Sequence, residues 1–320
     1  MNKKTTVILL VVLVALIGAY FAFVHKWHGP DNEFHVTDTN AVGKIQITQM
    51  HEGKEGEQVL LSRQADDSWT VNDTFPASQA QVGDFLQILS QIRVKEPISD
   101  KAQATSLGLL KQNHTHVVIS DRDGKTLRDY LIGPTNNPQN ANIFKMAWSD
   151  HCYMVSKPGM DGYVSIYYST RELNWRDKAI WNLRGDDLTM VSAIYSRDTL
   201  GQSFILSLRD GKWQLLSPDS PANPGRVSAY MSLFNGKVNA ESYAALQYPE
   251  MMDSLKRRLP DARLTLQDAQ GKRTDLLLFA RPDVNANFFA YLEGKNELLT
   301  VQHFVIDPFL KQRAYFVGAE

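Results

Sequence analysis

The sequence predicts an α+β fold class, in which an N-terminal transmembrane helix precedes two tandem, duplicated modules of antiparallel sheet with helices on one face. Three observations lead to this prediction. A single uncharged apolar segment lies near the N-terminus, at 6–24. After it, stretches of alternating apolar residues surround stretches with helical periodicity. Motifs from the first half of the chain also recur in the same order about 145 residues later, which is a domain-sized period.

The apolar segment 6–24 predicts a membrane anchor. At about 19 residues and about 1.5 Å per residue, a helix of this length can cross a hydrocarbon core of about 30 Å. Two lysines precede the segment, which favours a cytoplasmic stub over 1–5 and export of the rest. A cleaved signal peptide is the alternative, but bulky Tyr20 occupies a position that a cleavage site needs to be small. We therefore expect a protein of the bacterial inner membrane, with a spacer over 25–33 and its bulk in the periplasm.

The internal repeat is visible in residue order. A Trp-containing motif at 66–71 recurs at 210–215, and a Pro-Ala pair follows each copy. An Asn-Ala-Asn motif at 140–142 recurs at 285–287. Because these pairs keep one order and a nearly constant offset, we interpret them as one module present twice. The predicted organisation of the exported part is module 1 at 34–160, a connecting helix at 161–185 and module 2 at 186–320.

Each module is predicted to contain a strand meander, then a helix, then further strands. In module 1 the helix is indicated by an apolar stripe with a period of 3.6, formed by Val82, Phe85, Leu86, Leu89 and Ile92. Asp-Gly pairs at 123–124 and 210–211 predict hairpins, because these residues accept the backbone angles of tight turns. Trp69 and Trp213, at matching places in the repeat, are predicted to be core anchors.

Composition excludes some classes of function. The chain has 34 Lys and Arg against 35 Asp and Glu, with no extended basic block. Nucleic acid is therefore not an expected partner, since neutralisation of phosphates needs clustered positive charge. Cys152 is the only cysteine, so no intramolecular disulfide can form.

The order of these motifs resembles a known family. Strands of the form Val42-x-x-Ile45-x-Ile47 precede an Asp-x-x-Trp strand ending at Trp69, a Gly-Pro pair at 133–134, and Trp-Arg-Asp-Lys at 175–178. This pattern is similar to a bacterial domain-of-unknown-function family of single-pass, membrane-anchored envelope proteins, often encoded beside gliding-motility-type ABC transporter components. The resemblance implies an envelope location and a membrane-protein complex as partner, and it carries over no catalytic residues.

Few residues indicate chemistry. His114 and His116 alternate on a strand, but a metal site needs three or four convergent ligands and no others are indicated. His151 and Cys152 are neighbours on a predicted strand and would point to opposite faces, which argues against a catalytic pair. Acidic pairs at 66–67, 121/123 and 186–187 fall at predicted turns, where Asp is favoured for its backbone hydrogen bonds. We predict no catalytic, cofactor or metal residues.

The predicted function is that of a non-catalytic, membrane-anchored binding or scaffolding module of a membrane complex, accessory to an ABC transporter. An exported glycan- or peptidoglycan-binding protein is the first alternative, and an envelope hydrolase is the second. The densest group of aromatic residues offers the candidate contacts with a partner or a glycan, since exposed rings stack on sugars. These candidates are Trp148, Tyr163, Tyr167 and Trp175.

Overall fold

The structure is a computed structural model that describes residues 12–18, 34–198, 200–281 and 287–317. The chain divides into two compact units, 1–177 and 178–320. Both are mostly antiparallel sheet with few helices, so the predicted α+β class is wrong. The helical periods in the sequence are real, but most helices that they produce are short.

The predicted transmembrane helix at 6–24 is also corrected. Residues 12–18 are helical, and seven residues rise only about 10 Å. Among the described residues, no helix combines the length and the apolar character needed to cross a membrane. The rest of the predicted helix lies outside the described residues, as do the predicted stub at 1–5 and the spacer at 25–33.

The first unit is built around a nine-stranded antiparallel sheet. Its strands are β1 Val42–His51, β2 Lys54–Arg63, β3 Trp69–Val71, β4 Phe75–Pro76, β5 Arg93–Pro97, β6 Asn113–Asp121, β7 Thr126–Thr135, β8 Asn142–Met146 and β9 Cys152–Ser156. They lie in the order β4-β3-β2-β1-β6-β7-β8-β9-β5. Alternate residues of the central strand β1, Ile45 and Ile47, are fully buried in the main core.

Two longer helices cover this sheet, α1 Gln79–Gln91 and α2 Asp100–Gln112. The predicted apolar stripe places α1 on the main core, where Phe85 and Leu89 are buried. Helix α2 instead packs Leu110 against Ile143, in a separate cluster. Because Phe144, the next residue of β8, belongs to the main core, α1 and α2 cover opposite faces of the sheet. The prediction of helices on one face is therefore wrong.

The second unit has a sheet with the same arrangement. Its strands are β10 Ala179–Leu183, β11 Leu188–Tyr195, β12 Phe204–Arg209, β13 Lys212–Leu216, β14 Ser220–Pro221, β15 Gly236–Asn239, β16 Ser242–Tyr243, β17 Ala262–Asp268, β18 Arg273–Ala280, β19 Asn287–Leu292 and β20 Glu297–Gln302. Nine of them lie in the order β14-β13-β12-β11-β17-β18-β19-β20-β16, which repeats the first sheet position by position. Strands β10 and β15 form a separate pair.

The remaining helices are short. In chain order they are α3 Glu172–Trp175, α4 Pro224–Ser232, α5 Met251–Leu255, α6 His303–Ile306 and α7 Arg313–Val317. Single 3-10 turns occur at Val164–Tyr167, Gly185–Asp187, Ala244–Leu246, Glu293–Lys295 and Asp307–Phe309. Helix α4 corresponds to α1, since each follows the short edge strand of its sheet.

Each unit closes its core with an aromatic residue from its own C-terminal segment. In the first unit, Trp175 is buried with its ring 5.0 Å from that of Phe85 on α1. In the second, Phe316 is buried 5.1 Å from Tyr230 on α4. The backbone carbonyl of each of these two aromatic residues accepts a hydrogen bond from the backbone amide of the residue that caps the helix, at 2.7 Å in the first unit and 2.8 Å in the second. The same contact is therefore built twice.

The predicted connecting helix at 161–185 is not formed, although every residue of this range is described. The range contains a 3-10 turn, the four-residue α3 and strand β10. Its aromatic residues serve two separate cores: Trp175 closes the first unit, whereas Trp181 packs 4.9 Å from Phe309 in the second. The segment therefore supplies one ring to each unit from separate short elements, α3 and β10.

Candidate functional site

The second unit has a cleft of about 1070 Å³ beside α4. It lies between the β12–β13 hairpin, the edge strand β14 and the helix. The residues that line it are Gly185, Asp186, Leu188, Leu208, Gly211, Lys212, Trp213, Gln214, Asp219, Ser220, Pro221, Ala222, Pro224, Val227, Ser228, Met231, Ser232 and Asn235. Its volume is at the upper end of the usual range for ligand sites, about 300 to 1,000 Å³.

Local sequence explains the walls of the cleft. Asp210 and Gly211 form a two-residue turn with positive φ angles of 50° and 74°, as predicted for an Asp-Gly hairpin. On the opposite wall, the Asn223 side chain caps α4 by accepting a hydrogen bond from the Arg226 amide at 3.0 Å. Pro224 follows the cap at the first helical position, where its missing N–H costs nothing.

The floor depends on a close approach between backbone segments. A Cβ atom at Gly185 would lie 2.1 Å from the carbonyl oxygen of Met231 on α4. Only glycine fits at that separation. The Gly185 amide also donates a hydrogen bond to Oδ1 of Asn235, at 2.8 Å, which fixes the turn against the end of the helix. Val227 and Met231 are buried beneath this contact.

Trp213 forms one wall and is the principal aromatic group of the cleft. It lies directly across from Leu208 in the β12–β13 pair, so both side chains project from the same face. Leu215, two residues further along, is fully buried, but Trp213 is only partly buried and Leu208 is 37% exposed. The predicted core anchor of the second unit therefore presents part of its indole to the cleft.

The rim carries charges of both signs. Asp186 and Asp219 contribute carboxylates and Lys212 contributes an ammonium group. Asp219 lies 3.8 Å from the guanidinium of Arg209, on an exposed part of the hairpin. The cleft thus combines an apolar interior with a charged entrance, an arrangement typical of sites that bind a segment of another molecule.

The aromatic residues predicted as contacts are not brought together. Trp148 is 73% exposed in the turn between β8 and β9, whereas Trp175 is 1% exposed inside the core. Tyr163 and Tyr167 are partly buried, and Tyr167 packs against the main core of the first unit. Trp175 is consequently not accessible to a glycan or a partner, and the cluster does not form a stacking surface.

The residues considered for nucleophilic or metal chemistry have structural partners. Burial raises the pKa of the Cys152 thiol, which keeps it protonated and unreactive. Nδ1 of His114 lies 2.6 Å from the Leu110 carbonyl, and Nε2 of His116 lies 2.8 Å from Oδ1 of Asp129. Within the described part of the chain, no group of three or more His, Cys, Asp or Glu residues could hold a metal ion.

The acidic pairs mainly serve turns and ion pairs. Oδ1 of Asp66 accepts hydrogen bonds from Ser68, which lower the pKa of Asp66. Asp67 pairs with Arg122, whose hydrogen bond and charge lower the pKa of that carboxyl. Oδ1 of Asp121 accepts from the amides of Asp123 and Lys125. A general acid would need a raised pKa, and these shifts, where one is resolved, run in the opposite direction.

Reasoning from the sequence did not predict the cleft. The sequence singles out Trp213 only as the match of Trp69 and predicts the same role for both. A signal was present in the differences between the repeats: Leu208 stands where the first unit has Arg63, and Pro224 stands where it has Gln79. Both replacements shorten side chains beside the tryptophan.

Comparison with known proteins identifies a family but not an activity. No curated protein and no solved structure matches the chain. The family profile described as "Domain of unknown function (DUF4340)" matches residues 69–255, more than half of the chain. The match begins at Trp69 in the first unit and ends at Leu255 in the second, so it includes the whole cleft. The chain therefore belongs to the DUF4340 family of domains of unknown function.

Proposed function

We propose that this protein is a non-catalytic binding or scaffolding module that binds a partner protein in the cleft of its second unit. The observation that carries the proposal is the cleft beside α4, with a partly exposed Trp213 over buried Val227 and Met231. Partly exposed tryptophans with apolar surroundings and a polar rim are typical centres of protein interfaces.

The lining favours binding over catalysis. The described residues of the lining include neither histidine nor cysteine, and its two carboxylates, Asp186 and Asp219, belong to exposed residues. The buried part of the cleft is apolar, so burying an apolar segment there would give about 25 cal/mol for each Å² removed from water. Such a surface holds a ligand without providing a nucleophile or a general base beside it.

The class of partner is inferred from the family resemblance. We propose a membrane-protein complex of the bacterial envelope, an ABC transporter, because the motifs of the chain are similar to envelope proteins encoded beside such transporters. The cleft supports a protein partner. The periplasmic location likewise stays a prediction.

The test is to block the cleft without disturbing the fold. Ser228 is an exposed residue of α4 that lines the cleft, so Ser228→Trp should fill it. Ala229 is its exposed neighbour on the same helix and is not part of the lining, which makes Ala229→Trp a matched control. Full-length tagged protein is purified from its own cells with each variant, and the proteins recovered at stoichiometric amounts are compared.

We expect a transporter subunit that co-purifies with the wild type and with Ala229→Trp and is lost with Ser228→Trp. The purified subunit should then bind the wild type directly and bind Ser228→Trp at least about tenfold more weakly, equivalent to about 1.4 kcal/mol. Equal binding by the two variants would rule out the cleft as the site. If glycan is recovered instead of protein, and its recovery is also lost with Ser228→Trp, the partner is a glycan and the proposed protein partner is wrong.

A further inference from the structure

The repeat of one strand order allows the cleft to be compared with the same place in the first unit. There, Arg63 and Trp69 form the cross-strand pair that Leu208 and Trp213 form in the second unit. The Arg63 guanidinium lies 5.8 Å from the centre of the Trp69 ring, within the range of a cation–π contact. The arginine side chain is only 13% exposed and the tryptophan 5%.

Two further contacts hold this arginine in place. Its Nη1 donates a hydrogen bond to the Asn40 carbonyl at 2.9 Å. Its Nε lies 3.2 Å from Oδ1 of Asp67, in the turn of the hairpin. The Asn40 carbonyl and the Asp67 carboxylate therefore hold the Arg63 guanidinium against the face of Trp69, and the arginine covers that face of the ring.

Gln79 completes this cover from the side of the helix. Its Oε1 accepts a hydrogen bond from the Trp69 amide at 3.1 Å, and its Nε2 donates to the Trp69 carbonyl at 3.3 Å. The second unit has Pro224 at the same place, directly after the helix cap. Proline has no amide side chain, so the backbone of Trp213 is not held in this way.

The second unit keeps the tryptophan but not the groups that cover it. Leu208 replaces the arginine and Gly211 stands where the turn of the first unit has Asp67, so both members of the ion pair are missing. Asp186 precedes Leu188 by two residues, as Asn40 precedes Val42 at the start of the matching strand. Asp186 thus stands at the position of Asn40, whose backbone carbonyl accepts the guanidinium in the first unit, and it adds a carboxylate side chain there.

We propose that the cleft binds an arginine side chain supplied by the partner, with its guanidinium on the Trp213 face and its N–H groups directed to Asp186. This proposal rests on the proposed function, since it names the chemistry of the partner segment that enters the same cleft. The ligand replaces, from outside, the arginine that the first unit supplies from its own chain. The cleft is large enough to hold neighbouring residues of the partner as well.

Arginine fits this position better than lysine for geometric reasons. Its guanidinium is planar and weakly hydrated, stacks on an aromatic face and carries five donors in a fixed fork. Lysine offers a compact, strongly hydrated charge that cannot stack in the same way. Lys212 in the lining opposes any cation, and Asp219 already lies 3.8 Å from the Arg209 guanidinium, so Asp186 is the carboxylate of the lining assigned to the incoming guanidinium.

The test uses full-length protein labelled with 5-fluorotryptophan, in which Trp213 is one of six tryptophans. Its ¹⁹F signal is assigned with the Trp213→Phe variant. The probe is N-acetyl-arginine methylamide, compared with the corresponding lysine and citrulline compounds. We expect a saturable shift of the Trp213 signal with the arginine probe. The lysine probe should bind about two- to fivefold more weakly, the factor that a cation–π contact of about 0.5 to 1 kcal/mol gives, and citrulline, which lacks the charge, should leave the signal unchanged.

Three substitutions separate this proposal from a general effect of charge. Leu208→Arg should place an internal guanidinium on Trp213 and abolish the response to the probe, whereas Leu208→Gln, which is polar but uncharged, should preserve it. Asp186→Asn, in an exposed turn, should weaken binding about tenfold, as expected for loss of a charged hydrogen-bond partner. The asparagine variant keeps the test decisive if Leu208→Arg fails to fold.

Three results would overturn the proposal: no shift of Trp213 with the arginine probe, an equal shift with citrulline, or an undiminished response in folded Leu208→Arg. If the arginine probe fails while Ser228→Trp still releases the partner protein, the cleft remains a binding site and only the ligand class is wrong. If Ser228→Trp has no effect on the partner, the proposed function itself fails.

Discussion

The two units repeat one sheet but treat the same tryptophan differently. In the first, Arg63 and Gln79 cover Trp69, which is 5% exposed. In the second, the shorter Leu208 and Pro224 leave Trp213 partly exposed beside a cleft. The strands, the helix and the buried aromatic residue of the C-terminal segment are retained, while side chains at the sheet edge differ. Repetition thus preserves the parts that bury apolar area and allows the side chains at the sheet edge to differ.

A second difference lies on the far side of the sheets. The first unit covers that side with α2, a helix of 13 residues, whereas the corresponding α5 has five. Leu255 of α5 nevertheless packs with Phe279 and Phe289 of the sheet, and Tyr248, Met251 and Met252 complete the cluster. Larger side chains therefore provide the apolar area that a longer helix provides in the first unit.

The largest effect that can test the comparison is removal of each tryptophan. Trp69→Ala should destabilise the first unit by about 3–5 kcal/mol, because it empties a filled core position. Trp213→Ala should cost only about 1–2 kcal/mol, since part of the ring already contacts solvent. Hydrogen exchange measured by mass spectrometry reports each unit separately, so the loss of protection can be assigned to the correct one. Equal losses would show that the two rings are equivalent core anchors after all.

A smaller effect tests the floor of the cleft. Gly185→Ala should destabilise the second unit by about 1–3 kcal/mol, because its Cβ would overlap the Met231 carbonyl and backbone cannot move aside cheaply. Gly83→Ala is the control, since a Cβ there meets no atom within 4 Å. That change, inside α1, should stabilise the first unit by about 0.5–1 kcal/mol. Thermal melting of both variants measures the difference, and a neutral Gly185→Ala would contradict the close approach.

Uncovering Trp69 in the first unit should give it the partial exposure that Trp213 has in the second. Arg63→Leu removes a cation–π contact and a hydrogen bond to the Asn40 carbonyl, and should cost about 1–2 kcal/mol of unfolding free energy. The exposed Trp69 should then respond to the arginine probe in the ¹⁹F experiment. Arg122→Leu is the matched control, because Arg122 also pairs with Asp67 but is exposed, and such pairs contribute little. Failure of Trp69 to respond would indicate that Gln79 alone keeps the site closed.

The smallest effect concerns the carboxylate that supports the closed site. Arg122, and then Arg63, lower the pKa of Asp67. Since the folded value is the lower one, the ion pair stabilises the folded state above the ordinary Asp pKa, and this contribution is lost as pH falls through the lowered value. Arg122→Gln should raise the pKa of Asp67 toward its usual range, as measured by ¹³C titration of the carboxyl group. Asp66, whose pKa is lowered by Ser68, should titrate as before.

Local structure was predictable where one strong signal dominated. The apolar stripe of α1 and the Asp-Gly turn of the β12–β13 hairpin are confirmed, because each depends on residues close together in the chain. The α+β class, the transmembrane helix, the helices on one face and the connecting helix were wrong. The prediction that the helices lie on one face was wrong because periodicity tells which side of a helix is buried but not which face of the sheet the helix contacts. The prediction of a connecting helix was wrong because apolar residues that pack into two separate cores produce the same sequence pattern as one buried helix.

The repeated order of motifs, the turn positions, the single cysteine and the balanced charge follow from the amino-acid sequence alone. That Trp69 is covered and Trp213 partly exposed becomes visible only in the folded protein. The reason is that the exposure of a ring depends on side chains from other elements: Arg63 across the strand pair, Gln79 on the helix, and in the second unit their shorter replacements. These neighbours lie only about 5 to 11 residues from the tryptophan in the chain, but they belong to other elements. Each looks like an ordinary polar or apolar residue until the strand register and the position of the helix bring it to the ring.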